Sequence, residues 1–198
     1  MSFYTQQADE IKDNATQILC NLGLVDKIKK IGTLYYTGSY ALDLMTWNDI
    51  DLQIVLPQGV NPMAALGDLF KEVSCNPDFL EAKIVHFKNN YKRKMPRGVY
   101  LNIKIDSPSL GGIWKIDVWV LDKEDFDKNI SLLQELRSKM TPELREFILE
   151  CKHAIMQGQD RMPQMSSHLL YQAILLEGMR DKKDLTAYFS AHNIEVSL

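Results

Sequence analysis

The sequence predicts an α/β fold of the α+β kind, with strands and helices interleaved as far as Leu121 and helices alone beyond it. Three observations carry this. Residues 49–56 alternate, with Ile50, Leu52, Ile54 and Leu56 on one parity and Asp49, Asp51, Gln53 and Val55 on the other. Residues 113–121 do the same, setting Trp114, Ile116, Val118 and Val120 against Lys115, Asp117, Trp119 and Leu121. Period two is the signature of a strand with distinct faces. After Asp122 the alternation stops and apolar residues recur at helical spacing, which places a soft boundary between segments 1–122 and 123–198.

In chain order, Ile11, Ala15, Ile18, Leu19 and Leu22 predict an amphipathic helix stopped by Gly23, and the basic stretch 27–31 reads as its extension. Thr33–Thr37 is rich in β-branched and aromatic residues and predicts a strand. Gly38 and Ser39 follow, with Ser39 in the place of an N-cap for a short helix over 40–45. After the strand at 49–56, Asn61 and Pro62 read as N-cap and first helical residue, and Met63, Leu66, Leu69, Phe70 and Val73 continue at helical spacing. Residues 82–87 and 100–106 are further strands, and 108–112 is a turn cluster. In the second segment, Phe126, Ile130, Leu133 and Leu136 mark one helix, and Thr141 with Pro142 starts another. Met165, Leu169, Leu170, Ala173 and Ile174 mark a third, and residues 184–192 close the chain.

The chain has 198 residues, 45% hydrophobic and 25% charged, which is ordinary globular composition. A chain of this size buries roughly 70% of its unfolded surface, enough for a true core. The formal net charge of −3 argues against a dedicated binder of long nucleic acid. Cys20, Cys75 and Cys151 are odd in number and far apart, so neither a metal knuckle nor a disulfide framework is expected. The start lacks a basic region followed by an apolar core, and no apolar run is long enough to span a bilayer. The expectation is a reduced, cytoplasmic protein with no membrane partner.

The chemistry concentrates in residues 36–52. Asp49 and Asp51 leave the same strand face, with Cα atoms about 7 Å apart. Two like charges that close oppose each other's ionisation unless a cation or proton intervenes, and beside a rigid apolar face the pair is read as a divalent-metal site. Asp117 lies in the most apolar strand, where an unpaired carboxylate is costly. Gly38 permits a sharp turn and close approach to a ligand, and free amides at a helix start attract phosphate. A plain strand-to-helix turn is the alternative. Residues 88–97 carry five basic side chains, Lys88, Lys92, Arg93, Lys94 and Arg97. They read as a solvated hairpin tip or as a loop that grips phosphate or an anionic substrate. Trp114 and Trp119 are assigned to the core, and packing is the expectation for Trp47. Lys152 and Tyr171 are candidates for charge and stacking contacts with a nucleotide, against ordinary helix positions.

Gly-Ser, nine residues, Asp-Ile-Asp-Leu, and a later apolar-flanked Ile116-Asp117-Val118 resemble the signature of the polymerase-β-like nucleotidyltransferase superfamily. The likeness covers residues 34–121. Thr37 departs from it mildly, standing where a larger apolar residue is common. Within the superfamily the chain looks most like the small bacterial, antibiotic-modifying branch. The resemblance implies a mixed β-sheet with flanking helices, a catalytic segment at 1–122 and a helical one at 123–198. It implies that Gly38 and Ser39 hold the phosphates of a nucleoside triphosphate such as ATP. It implies that Asp49, Asp51 and Asp117 bind Mg²⁺, as two ions, with Asp117 alternatively accepting the proton of the attacking hydroxyl. The implied reaction transfers a nucleoside monophosphate to a hydroxyl of a small-molecule acceptor and releases pyrophosphate. Two other functions stay open. One is transfer to a protein or an RNA end, and the other is a non-catalytic, antitoxin-like partner. The sequence leaves the oligomeric state open.

Overall fold

The computed structural model describes residues 2–87, 95–157, 166–196 and 198. The basic residues Lys88, Lys92, Arg93 and Lys94 lie outside the described residues, as does Met165. Helix α1 (Phe3–Asn21) begins at Ser2, whose hydroxyl accepts from the Thr5 amide. Gly23, at φ 55°, separates it from α2 (Leu24–Ile31), so residues 27–31 belong to a second helix rather than extending the first. Strand β1 (Thr33–Thr37) leads to a one-turn helix α3 (Gly38–Ala41), and β2 (Asp49–Val55) follows. Helix α4 (Pro62–Ser74) starts as expected, with Asn61 accepting from the amides of Met63 and Ala64.

Strands β3 (Phe79–Phe87), β4 (Gly98–Ser107) and β5 (Gly112–Leu121) complete one five-stranded sheet of order β1-β2-β5-β4-β3. It is mixed: β2 and β5 are parallel, and the other neighbours are antiparallel. The helical segment comprises α5 (Lys123–Lys139), α6 (Pro142–Met156), α7 (Ser166–Tyr171) continued by a π-helical turn (Gln172–Leu176), and α8 (Lys182–Ala191). Thr141 caps α6 by accepting from the Leu144 amide.

The alternation read in β2 and β5 sorts the two faces of the sheet. Ile50, Leu52, Ile54, Ile116 and Val118 are buried against α1, α2 and α4 in one apolar cluster. Burying each such side chain contributes roughly 1.5–3 kcal/mol. A second cluster is built from α5 to α8 together with Ala8, Leu42 and Leu44. Helix α1 serves both, with Ala8 in the second cluster and Ala15 and Ile18 in the first. The opposite face of the sheet carries Asp49, Asp51, Lys115, Asp117, Trp119 and Tyr100. No helix among the described residues is long and apolar enough to cross a membrane.

Candidate active site

The parallel register sets Asp51 beside Asp117 and Asp49 beside Lys115. Carboxylate oxygens of Asp49, Asp51 and Asp117 all lie within 4.8 Å of one another. The structure therefore brings together the three acids that the sequence singled out. Their donors are unevenly shared. Asp117, 8% exposed, accepts from Tyr100 Oη at 2.7 Å and Asn102 Nδ2 at 2.8 Å on Oδ1, and from Lys115 Nζ at 2.7 Å on Oδ2. Asp49 accepts from Lys115 Nζ at 3.2 and 3.4 Å and from Trp47 Nε1 at 3.4 Å. Among the described residues, no donor reaches the carboxylate of Asp51.

The electrostatics follow from burial and crowding. Burial, then the charges of Asp49 and Asp117, push the Asp51 carboxyl up to about 7. Burial also raises Asp49, against the pull of Lys115. Burial alone would lower Lys115, but Asp117 and Asp49 outweigh it and its pKa rises. An acid without a donor beside two other acids is a place where a cation is favourable. The oxygen-only character of the three side chains fits a hard divalent ion such as Mg²⁺.

Gly38 lies against this cluster. Its φ is 58°, and a Cβ placed on it would stand 2.0 Å from Asp51 Oδ2. The glycine is required both by its left-handed backbone and by the carboxylate beside it. Ser39 is not the N-cap expected of it. Thr37 occupies that position in extended conformation, and the helix ends at Ala41 rather than running to residue 45, with Asp43 at φ 59° beyond it. The physical reason lies in the helical segment. Arg137 donates to the Ala41 carbonyl at 2.6 Å, Arg145 to that of Asp43 at 2.9 Å, and Lys152 to that of Leu44. Three basic side chains satisfy carbonyls of the turn that follows this short helix.

Ser39 Oγ instead meets Tyr171 Oη at 3.0 Å and accepts from Lys152 Nζ at 3.1 Å. Lys152 is fully buried, also donates to Tyr171 Oη at 3.0 Å, and lies 4.5 Å from the Trp47 ring centroid. Burial lowers its pKa to about 7, against the attraction of Asp51 and Asp49. Tyr171 is 5% exposed and its pKa is raised by burial. Both residues thus support the Gly38-Ser39 bend from beneath.

A cleft of about 520 Å³ opens over the acids, within the roughly 300–1,000 Å³ range of small-molecule sites. Its floor is Asp49, Asp51 and Asp117, and α5 lines one side with Leu132 and Leu133. Trp114 is buried as expected, but Trp119 lines the cleft, correcting its assignment to the core. Its ring lies 4.6 Å from that of Tyr100 and 5.5 Å from that of Phe87. Trp47 both packs on the helical cluster and reaches Asp49. Sequence reasoning missed Lys115, Tyr100 and Asn102. The parity of Lys115 and Asp117 was visible, but the pairing of β4 and β2 with β5 was not. Arg97, the last of the basic stretch, donates to Glu124 at 2.8 Å and through its backbone amide to Asp125 at 2.6 Å.

No protein-family model and no curated protein matches the sequence. Solved structures match it in fold. The poly(U) polymerase Cid1 with MgATP bound aligns with a TM-score of 0.62 at 17% identity, over 90% of this chain and 53% of that one. A Cid1 structure described for RNA terminal uridylyl transferase activity gives 0.57 at 14% identity, over 90% and 50%. The non-canonical poly(A) polymerase complex GLD-2–GLD-3 gives 0.54 at 13% identity, over 88% and 58%. The chain has the polymerase-β-like nucleotidyltransferase fold. It spans about half the length of these structures. Among the described residues, Asp49, Asp51 and Asp117 form a group of acids whose oxygens lie close enough to hold a metal ion.

Proposed function

We propose that this chain transfers a nucleoside monophosphate from a nucleoside triphosphate to a hydroxyl of a small-molecule acceptor, with Mg²⁺, and releases pyrophosphate. The observation that carries this reading is the meeting of Asp49, Asp51 and Asp117 beside the Gly38 bend. These carboxylates would hold the metal, which when bound offsets charge on the oxygens of an in-line displacement at phosphorus. Gly38 and Ser39 would bind the distal phosphates, and Lys152 donates to Ser39 Oγ behind the bend. Asp117 has both oxygens already engaged by Tyr100, Asn102 and Lys115. That speaks against the role of proton acceptor. The aromatic pair Tyr100 and Trp119, with Leu132 and Leu133 opposite, offers an acceptor a flat, largely apolar seat. The absence of a basic excess in the whole chain supports a small acceptor over a long polyanion.

A second reading, transfer to an RNA end, is favoured by the poly(U) and poly(A) polymerases that share the fold. Purified protein with labelled ATP, GTP, CTP or UTP and Mg²⁺ would be offered hydroxylated small molecules and short RNA in parallel. Pyrophosphate release that needs a small hydroxyl supports the main reading. Extension of RNA alone replaces it with the second. Absence of triphosphate binding would leave only a partner-binding role.

A further inference from the structure

We infer that Lys115 is a resident cation of the acidic cluster, so that the site loads one divalent ion rather than two. The inference rests on the reading of Asp49, Asp51 and Asp117 as a divalent-cation site. Lys115 Nζ lies 3.2 and 3.4 Å from the two oxygens of Asp49 and 2.7 Å from Asp117 Oδ2. Its position is fixed twice by the sheet. The register pairs it with Asp49 across β2 and β5, and it precedes Asp117 by two residues on the same strand face. Its side chain is 41% exposed, whereas those of Asp49 and Asp117 are 21% and 12% exposed, so the ammonium spans the two carboxylates at the cleft floor.

The donors divide the cluster into two halves. Asp117 is fully engaged, by Tyr100 and Asn102 on one oxygen and by Lys115 on the other. Asp51 is engaged by none among the described residues. A second divalent ion shared between Asp49 and Asp117 would need oxygens that the ammonium already holds, and would sit against a like charge. An ion on Asp51 meets no donor there among the described residues, and toward Asp49 it meets the ammonium only at its longer contacts of 3.2 and 3.4 Å. Lys115 therefore supplies the positive charge on the Asp117 side, and the exchangeable metal belongs on the Asp51 side.

The test counts ions directly. Full-length protein is titrated with Mn²⁺ in the presence of an α,β-methylene nucleoside triphosphate, and free Mn²⁺ is read by electron paramagnetic resonance. One ion per chain is expected for the natural protein, and two for Lys115→Met and Lys115→Gln. Two ions in the natural protein overturn the inference, whether or not the variants fold. One ion in both natural protein and folded variants overturns it too, because removing the ammonium then opens nothing. Either result leaves the nucleotidyl-transfer reading standing. No ion in any form, with no analogue bound, overturns both. As a second readout, without metal the lysine variants should melt lower than the natural protein and should gain more in Tm on adding Mn²⁺.

Discussion

Asp51 and Asp117 are direct register partners across the parallel pairing of β2 and β5, while Thr37 is the partner of Asp51 on its other side. Neighbouring strands lie about 4.8 Å apart, so two carboxylates on one face of such a pair are forced together. Folding of the sheet creates this repulsion, and a counter-charge or a bound proton relieves it.

Asp51→Asn therefore separates stability from activity. The amide removes a buried like charge, so the metal-free protein should melt higher at pH 8 than the natural chain. Nucleotidyl transfer should fall by more than roughly 10³-fold, the several kcal/mol a metal contributes to such a transition state. Thermal melts in EDTA and pyrophosphate release measure the two effects. An active Asp51→Asn enzyme would sink the assignment of Asp51.

Gly38→Ala should damage the site from the backbone. A non-glycine residue at a φ of 58° costs about 1–2 kcal/mol, and the new methyl would stand 2.0 Å from Asp51 Oδ2. Urea denaturation should show the loss of stability. Mn²⁺ affinity should fall as well, since Asp51 must move to make room. Unchanged Mn²⁺ affinity would mean that Asp51 is not a ligand.

Tyr100→Phe deletes one of the three donors that fix Asp117 and leaves the ring contact with Trp119. Loss of such an orienting partner typically costs 10–100-fold in metal affinity or activity. Turnover should drop within about that range, with little change in KM for the triphosphate. A rise in KM alone would place Tyr100 in substrate binding instead.

The pH dependence of stability has two limbs. Asp51 titrates at about 7 when folded against an ordinary 3.8, so between those values the folded chain holds a proton the unfolded chain has lost. Stability falls as pH rises through that window. Lys152 titrates at about 7 against an ordinary 10.5, so there the unfolded chain holds the extra proton and stability climbs with pH. The metal-free protein should show a Tm minimum near neutrality. Lys152→Met should remove the alkaline climb and Asp51→Asn the acidic fall. Mg²⁺ should raise Tm most above pH 7, where Asp51 is ionised. A flat profile for the natural protein would contradict the burial of both groups.

The strand alternation made the sheet and its acidic face legible in the sequence, because Ile50, Leu52, Ile116 and Val118 demanded one side and left Asp49, Asp51 and Asp117 on the other. Trp119 shared the parity of Asp117, so its place in the cleft was readable, but its size suggested the core. Lys115 became meaningful only through the parallel register, which no local pattern encodes. The short α3 and the role of Ser39 depended on Arg137, Arg145 and Lys152, about a hundred residues away in the chain. Local helix propensity around residues 40–45 lost to those long-range hydrogen bonds.

That dependence has an outcome during synthesis. All five strands have been synthesised once Leu121 is made, yet the groups that tether the bend after Gly38 are made only later, with Arg137, Arg145, Lys152 and Tyr171. At roughly 5–20 residues per second, the nascent chain spends seconds with its acids in place and the serine above them untethered. A polypeptide stalled or clipped in that interval would carry the acids without the side chains that brace the bend. Assembly of the bend therefore waits on synthesis as far as Tyr171.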